Sequence, residues 1–153
     1  MIRVRVQEAA FDVNAELAAL AGSGAGGLAT FTGIVRGDGG LLELFLEHHP
    51  GMTERLLTRM AEQAAERWAL LGATVIHRVG PLAPGDPIVL VATAARHRGS
   101  ALDACAALID WLKTEAPFWK RERFADGRVA WVEARAADAA AAARWGRDPG
   151  RSS

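Results

Sequence analysis

The chain has 153 residues, half of them hydrophobic, with 18 basic and 18 acidic side chains and no formal net charge. That length suits a single domain burying roughly two-thirds of its unfolded surface. Zero net charge argues against a broad field for nucleic acid or membrane surfaces, so any anion site must be local. No apolar run is long enough to cross a bilayer, and the alternating Met1-Ile2-Arg3-Val4-Arg5-Val6 reads as a strand rather than a signal peptide, which makes the cytoplasm the default location.

In chain order, alternation predicts a strand over Ile2–Gln7 and 3.6-residue periodicity a helix over Asn14–Ala21. Gly22-Ser23-Gly24-Ala25-Gly26-Gly27 follows as a flexible joint. It resembles a phosphate loop only superficially, because no Lys-Ser or Lys-Thr follows and a strand comes next. That strand, Leu28–Val35, ends at Arg36 just before the turn Gly37-Asp38-Gly39-Gly40. A strand over Leu41–His48, a helix over Thr53–Trp68 and strands over Ala73–Val79 and Ile88–Ala95 come next. Arg96-His97-Arg98-Gly99-Ser100 then leads into a helix over Ala101–Glu115, with Ser100 and Asp103 in capping-box-like spacing. Strands over Phe118–Phe124 and Arg128–Glu133 are joined by Ala125-Asp126-Gly127-Arg128, where Asp-Gly suits the positive φ of a tight hairpin. A helix over Ala137–Trp145 closes the domain at residue 145, and Gly146–Ser153 is read as a loose polar tail. The pattern is α+β, a mixed, largely antiparallel sheet with flanking helices.

The densest chemistry lies between Asp110 and Glu122, where two lysines stand seven apart across the end of a helix. Leu102, Cys105, Leu108, Ile109 and Leu112 form one apolar stripe, and Lys113 falls at its flank, able to reach a pocket edge. Pro117 disfavours helical geometry at Ala116 and starts an extended segment in which Phe118, Lys120, Glu122 and Phe124 share a face. A lysine held partly out of water can bind an anion or move a proton. Taken singly, each lysine reads first as a solvated cation near a helix C-terminus or in an exposed strand. Arg96–Ser100 offers a second cationic group at a helix start, where free N–H groups favour phosphate and His97 and Arg98 add directional donors; alone, it reads first as a capped helix with a basic loop. Cys105, on the apolar stripe, reads as a buried small hydrophobe rather than a nucleophile. Glu47, His48, His49 and His77 lack the companions of a structural zinc site, so His48 and His77 read as hydrogen-bonded core or pocket-wall groups. The five tryptophans read as core or interface residues, with Trp119 facing away from Phe118 and Lys120.

Together, the strings Phe31-Thr32-Gly33-Ile34-Val35-Arg36, Leu46-Glu47-His48-His49-Pro50-Gly51-Met52, Val75-Ile76-His77-Arg78-Val79-Gly80, Pro84-Gly85-Asp86, His97-Arg98, Leu112 to Glu122 and Trp131-Val132-Glu133-Ala134-Arg135 resemble the large, catalytic subunit of molybdopterin synthase, in that family's order. The likeness runs from about Gly27 to Trp145, and Lys113 to Glu122 is its most specific part. The chain departs from the family pattern at His49, where an aromatic hydroxyl residue is expected, and in a short turn after Arg36. The resemblance implies an α/β hammerhead-like fold and a sulfurtransferase of molybdenum cofactor biosynthesis, without a cofactor or metal of its own. Its sulfur would come from the thiocarboxylate on the C-terminal Gly-Gly of a small ubiquitin-like partner and pass to cyclic pyranopterin monophosphate, forming the dithiolene of molybdopterin. It also implies roles: Lys113 nearest the thiocarboxylate for acid/base work, Lys120 on the pterin and donor side, Arg36, His97 and Arg98 holding phosphate, and Arg135 completing a pocket shared across a homodimer within a heterotetramer. The aromatic and arginine residues between Phe118 and Trp131 suit an interface as well as a hairpin packed within one domain. Two rivals remain open from sequence, a non-enzymatic pterin- or nucleotide-binding module and a protein-interaction scaffold; the second would need neither lysine.

Overall fold

Alternation in Ile2–Gln7 (β1) turns Ile2, Val4 and Val6 toward the core and Arg3 and Arg5 to the other side, where helix α1 (Val13–Ala21) reaches them through one side chain. Glu16 of α1 is buried between those arginines, 3.9 Å from Arg3 and hydrogen-bonded to Arg5. The computed structural model describes residues 1–132 and 136–146. After α1 come β2 (Gly27–Ile34), a 3-10 turn at Asp38–Gly40, β3 (Leu41–His48), α2 (Met52–Trp68), β4 (Gly72–Arg78), β5 (Gly80–Leu82), β6 (Pro87–Ala95), α3 (Arg98–Glu115), β7 (Phe118–Phe124), β8 (Val129–Val132) and α4 (Ala136–Ala143).

The strands form two four-stranded sheets, ordered β1-β4-β6-β2 and β5-β3-β7-β8. Every pairing is antiparallel except β1 with β4, in keeping with the mixed, largely antiparallel pattern expected, although the strands divide into two sheets rather than one. Helices α2 and α3 cover the first sheet around Leu57, Met60, Val75, Val91, Leu108 and Trp111. Val35, Leu41, Leu44, Leu46, Val79 and Leu82 make a second core under the other sheet, and Phe118 packs against both cores. The Asp126-Gly127 hairpin forms as predicted, with Gly127 at φ 88° and the Asp126 carboxylate accepting the Arg128 N–H at 2.9 Å.

Three expectations need correction. Helix α3 starts at Arg98, three residues early, so Ser100 lies inside its first turn and the Ser100–Asp103 cap is not formed; His97 precedes the helix without a side-chain cap bond. Leu102 is 59% exposed rather than part of the buried stripe. The face against the sheet is made by Ala101, Ala104, Cys105, Ala107, Leu108, Trp111 and Leu112, because small residues let helix and sheet approach closely where hydropathy alone favours leucine. The short strand β5 was not predicted, as three residues give too little alternation to read. Cys105 is buried as expected, and burial pushes its thiol up to about 11. Of the predicted tail, only Gly146 lies among the described residues.

Candidate active site

Lys113 is exposed in the last turn of α3, and Lys120 is half-buried on β7, opposite Leu46 of β3. Between them in sequence, Phe118 starts β7 immediately after Pro117 ends the helix. The Phe118 ring stacks on the buried imidazole of His77 with centroids 3.8 Å apart and planes 19° from parallel, while His48 approaches the same ring at 6.5 Å. His77 lies near the end of β4, paired with Val89 at the start of β6. Its Nδ1 is 2.8 Å from the Arg78 carbonyl oxygen. A carbonyl only accepts, so Nδ1 carries the proton of the neutral ring and Nε2 does not. Burial is the main reason its pKa falls from 6.5 to about 4; the backbone hydrogen bond opposes this, and the charges of Lys120, His48 and Lys113 add to it. Thus both lysines act electrostatically on one buried imidazole, which is neutral at physiological pH.

The turn before α2 supports this end of the molecule. Gly51 adopts φ 83°, which L side chains rarely take, and its N–H donates to Glu54 at 2.6 Å; the other Glu54 oxygen is 3.6 Å from His48 Nε2. Trp119 faces away from Lys120, as predicted, and its ring packs edge-on against His49 at 4.6 Å. Arg36 follows β2 at this same end of the first sheet, since Ile34 pairs with Pro87; it is largely exposed and 3.3 Å from Asp38.

His97 and Arg98 are elsewhere. They sit exposed at the start of α3, beside Gly26 and Gly27 where β2 begins. Fifteen residues of helix separate Arg98 from Lys113, about 22 Å at 1.5 Å per residue. A single chain brings together Lys113, Lys120 and the histidines, with Arg36 on the same side, and leaves the His97–Arg98 group at the far end. A Cβ on Gly26 would stand 2.1 Å from the Arg96 carbonyl oxygen, so this loop closes against backbone that only glycine can meet. Arg135 lies outside the described residues.

The MoaE protein family model matches residues 6–115, which take in most of the first sheet, β3 and β5 of the second and all of α3. The chain belongs to the MoaE family. It is 53% identical over 151 residues to the molybdopterin synthase catalytic subunit of Ralstonia nicotianae, covering 95% of this chain and 85% of that one. A molybdopterin biosynthesis MoaE protein from Burkholderia ambifaria superposes with a TM-score of 0.83 at 48% identity, covering 97% of this chain and all of that one. The molybdopterin synthase from Staphylococcus aureus gives 0.77 at 27% identity, covering 84% and 95%. Membership makes the chain an enzyme subunit of molybdopterin formation and removes the scaffold and non-enzymatic rivals.

Several MoaE-like strings turn out to be structural. The Arg78 guanidinium binds the carbonyl oxygens of Glu8 and Pro87, and in Pro84-Gly85-Asp86 the Asp86 carboxylate accepts the Ala83 N–H at 2.8 Å. Sequence reading assigns His77 to the hydrogen-bonded core or a pocket wall but misses its pairing with Phe118, which depends on tertiary packing. It also misses a simpler signal: Lys113 and Lys120 are the chain's two lysines, and the other sixteen basic residues are arginines.

Proposed function

We propose that this MoaE family member takes sulfur from the C-terminal thiocarboxylate of a small ubiquitin-like subunit and installs it in cyclic pyranopterin monophosphate, with Lys113 and Lys120 as its catalytic residues. The observation carrying this reading is that a chain using arginine for every other cation keeps two lysines, and that the charges of both act on one buried imidazole. Arginine would serve equally well for charge alone, but it stays protonated in proteins, whereas a lysine amine can give up and regain a proton. Lys113, exposed at the helix end, is assigned to the incoming thiocarboxylate and to acid/base work. Lys120, half-buried, is assigned to the pterin and donor side. The chemistry supplies three negative charges to be met: the substrate phosphate, the thiocarboxylate, and the charge that develops as the cyclic phosphate opens.

Arg36 approaches the phosphate from the lysine end, and His97 and Arg98 reach the pocket from a second copy of the chain, with Arg135 assigned to complete it. The separation of about 22 Å along α3 supports that division, since a ring and its own phosphate need both groups within one molecule's length. The assembly is then a homodimer carrying one small subunit on each chain, working in the cytoplasm; among the described residues no helix is long and apolar enough to cross a membrane. Lys113→Ala is expected to lower turnover about a hundred- to ten-thousandfold with the fold intact, and Lys120→Ala to be severely impaired. An assay with purified thiocarboxylated small subunit and pyranopterin decides it, and near-normal turnover by Lys113→Ala refutes the assignment.

A further inference from the structure

The buried imidazole at the centre of this cluster has no part in the chemistry above, yet its setting is specific. His77 is 8% exposed and fixed on two sides, by its Nδ1–H bond to the Arg78 carbonyl and by the Phe118 ring on its face. Phe118 is poorly placed to fix itself. It follows Pro117 at the break between helix and strand, and it is half-buried, touching both cores without belonging fully to either. It also stands between the two amines in sequence, five positions after Lys113 and two before Lys120, on the same face of β7 as Lys120.

We propose that His77 is a positioning residue for sulfur transfer: its tethered imidazole clamps Phe118, and through it the start of β7, so that Lys120 is held at a fixed place relative to Lys113. The inference rests on the two-lysine reading of the site. It accounts for two features at once. A ring is needed to stack on Phe118, and a hydrogen-bond donor is needed to stop that ring rotating, which selects histidine over phenylalanine. Neutrality is needed as well, because the charges of Lys120, His48 and Lys113 already oppose protonation of the ring, and a fixed positive charge there would repel both amines. The Glu54 carboxylate stands 3.6 Å from His48 Nε2.

The test uses the full chain with its thiocarboxylated small subunit. Because the chain has two lysines, isotopic labelling of lysine gives two side-chain signals, which report the surroundings of each amine independently of activity. Three variants are compared with the parent: His77→Leu, which fills the space without a ring or a donor; His77→Phe, which restores the ring; and Phe118→Leu, which removes the other half of the stack. His77→Leu and Phe118→Leu are expected to lower kcat about tenfold or more, to change KM for the small subunit by less than about twofold, and to shift the Lys120 signal. His77→Phe, which restores the ring without the bond to Arg78 that stops it rotating, is expected to recover part of that kcat and part of the signal position. Unmoved lysine signals and a kcat within about twofold of the parent in either leucine variant overturn the proposal, as does a His77→Phe variant no better than His77→Leu. Because Phe118 is only half-buried, Phe118→Leu still tests the clamp where His77→Leu does not fold. Lys113→Ala, measured alongside, separates the two ideas: if it retains turnover, the catalytic reading fails, while the lysine signals still judge whether His77 positions β7.

Discussion

The two ends of helix α3 carry cationic residues of the same family pattern but in different settings. At the C-terminal end, Lys113 joins Lys120, His48, His77 and Phe118 in a cluster built from α3, β7, β3 and β4, with a buried ring at its centre. At the N-terminal end, His97 and Arg98 are exposed where α3 begins, beside Gly26 and Gly27 at the start of β2. The contrast separates two demands. Moving a proton requires an amine whose surroundings are fixed by several elements, whereas holding a phosphate needs cations and free N–H groups that a loop at a helix start supplies alone. A loop of that kind can be completed by another molecule. The cluster at the other end is assembled within the chain.

Removing each end should therefore have a different signature. The largest effect is expected from Lys113→Ala, which leaves binding largely intact and removes turnover. Next comes the pH response of the lysine end. His77 has a folded-state pKa near 4 against an ordinary 6.5, so between those values the unfolded chain holds the extra proton. Its contribution to stability is complete above about pH 6.5 and is lost as pH falls toward 4, by about 3 kcal/mol at most. Urea denaturation at about pH 7 and about pH 4.5 should show the parent losing most of this amount relative to His77→Phe; parallel losses in the two proteins would contradict the buried, neutral assignment. The smallest effect is expected at the other end. Arg98→Ala removes a charge-assisted phosphate contact, about 1.5 to 3 kcal/mol, so pyranopterin affinity should fall roughly ten- to a hundredfold while kcat at saturation is nearly kept. Calorimetric titration showing unchanged affinity would remove Arg98 from the site.

The same contrast explains what the sequence made legible. Local signals worked wherever a short segment determines its own geometry: the alternation of β1 and β3, the Asp126-Gly127 hairpin and the helix end forced by Pro117. Periodicity misled where packing distance overrides hydropathy, so that alanines face the sheet in α3 and Leu102 faces water. The start of α3 was misplaced because Ser100 and Asp103 look like a cap, while the helix runs on through Gly99 to Arg98 without one. The lysine pair was visible, because Lys113 and Lys120 are close in sequence. His77 reads from sequence only as a core or pocket-wall group, because it arrives from a strand 36 residues before Lys113 and its pairing with Phe118 is set only by tertiary packing. Family order groups His97-Arg98 with the lysines, and the length of α3 separates them in space.

The central claim, that the phosphate-holding end of one chain serves the lysine end of another, is tested most directly by mixing two damaged chains. Lys113→Ala and Arg98→Ala subunits, carrying different tags, are co-expressed, and the mixed dimer is purified and assayed at limiting pyranopterin with thiocarboxylated small subunit. If the two groups meet across the dimer, each mixed dimer holds one intact site and one doubly damaged site, and it should recover about half the parent's turnover, far above either variant alone. If each chain completes its own site, no intact site exists in the mixture, and a mixed dimer no more active than its parents would contradict the account.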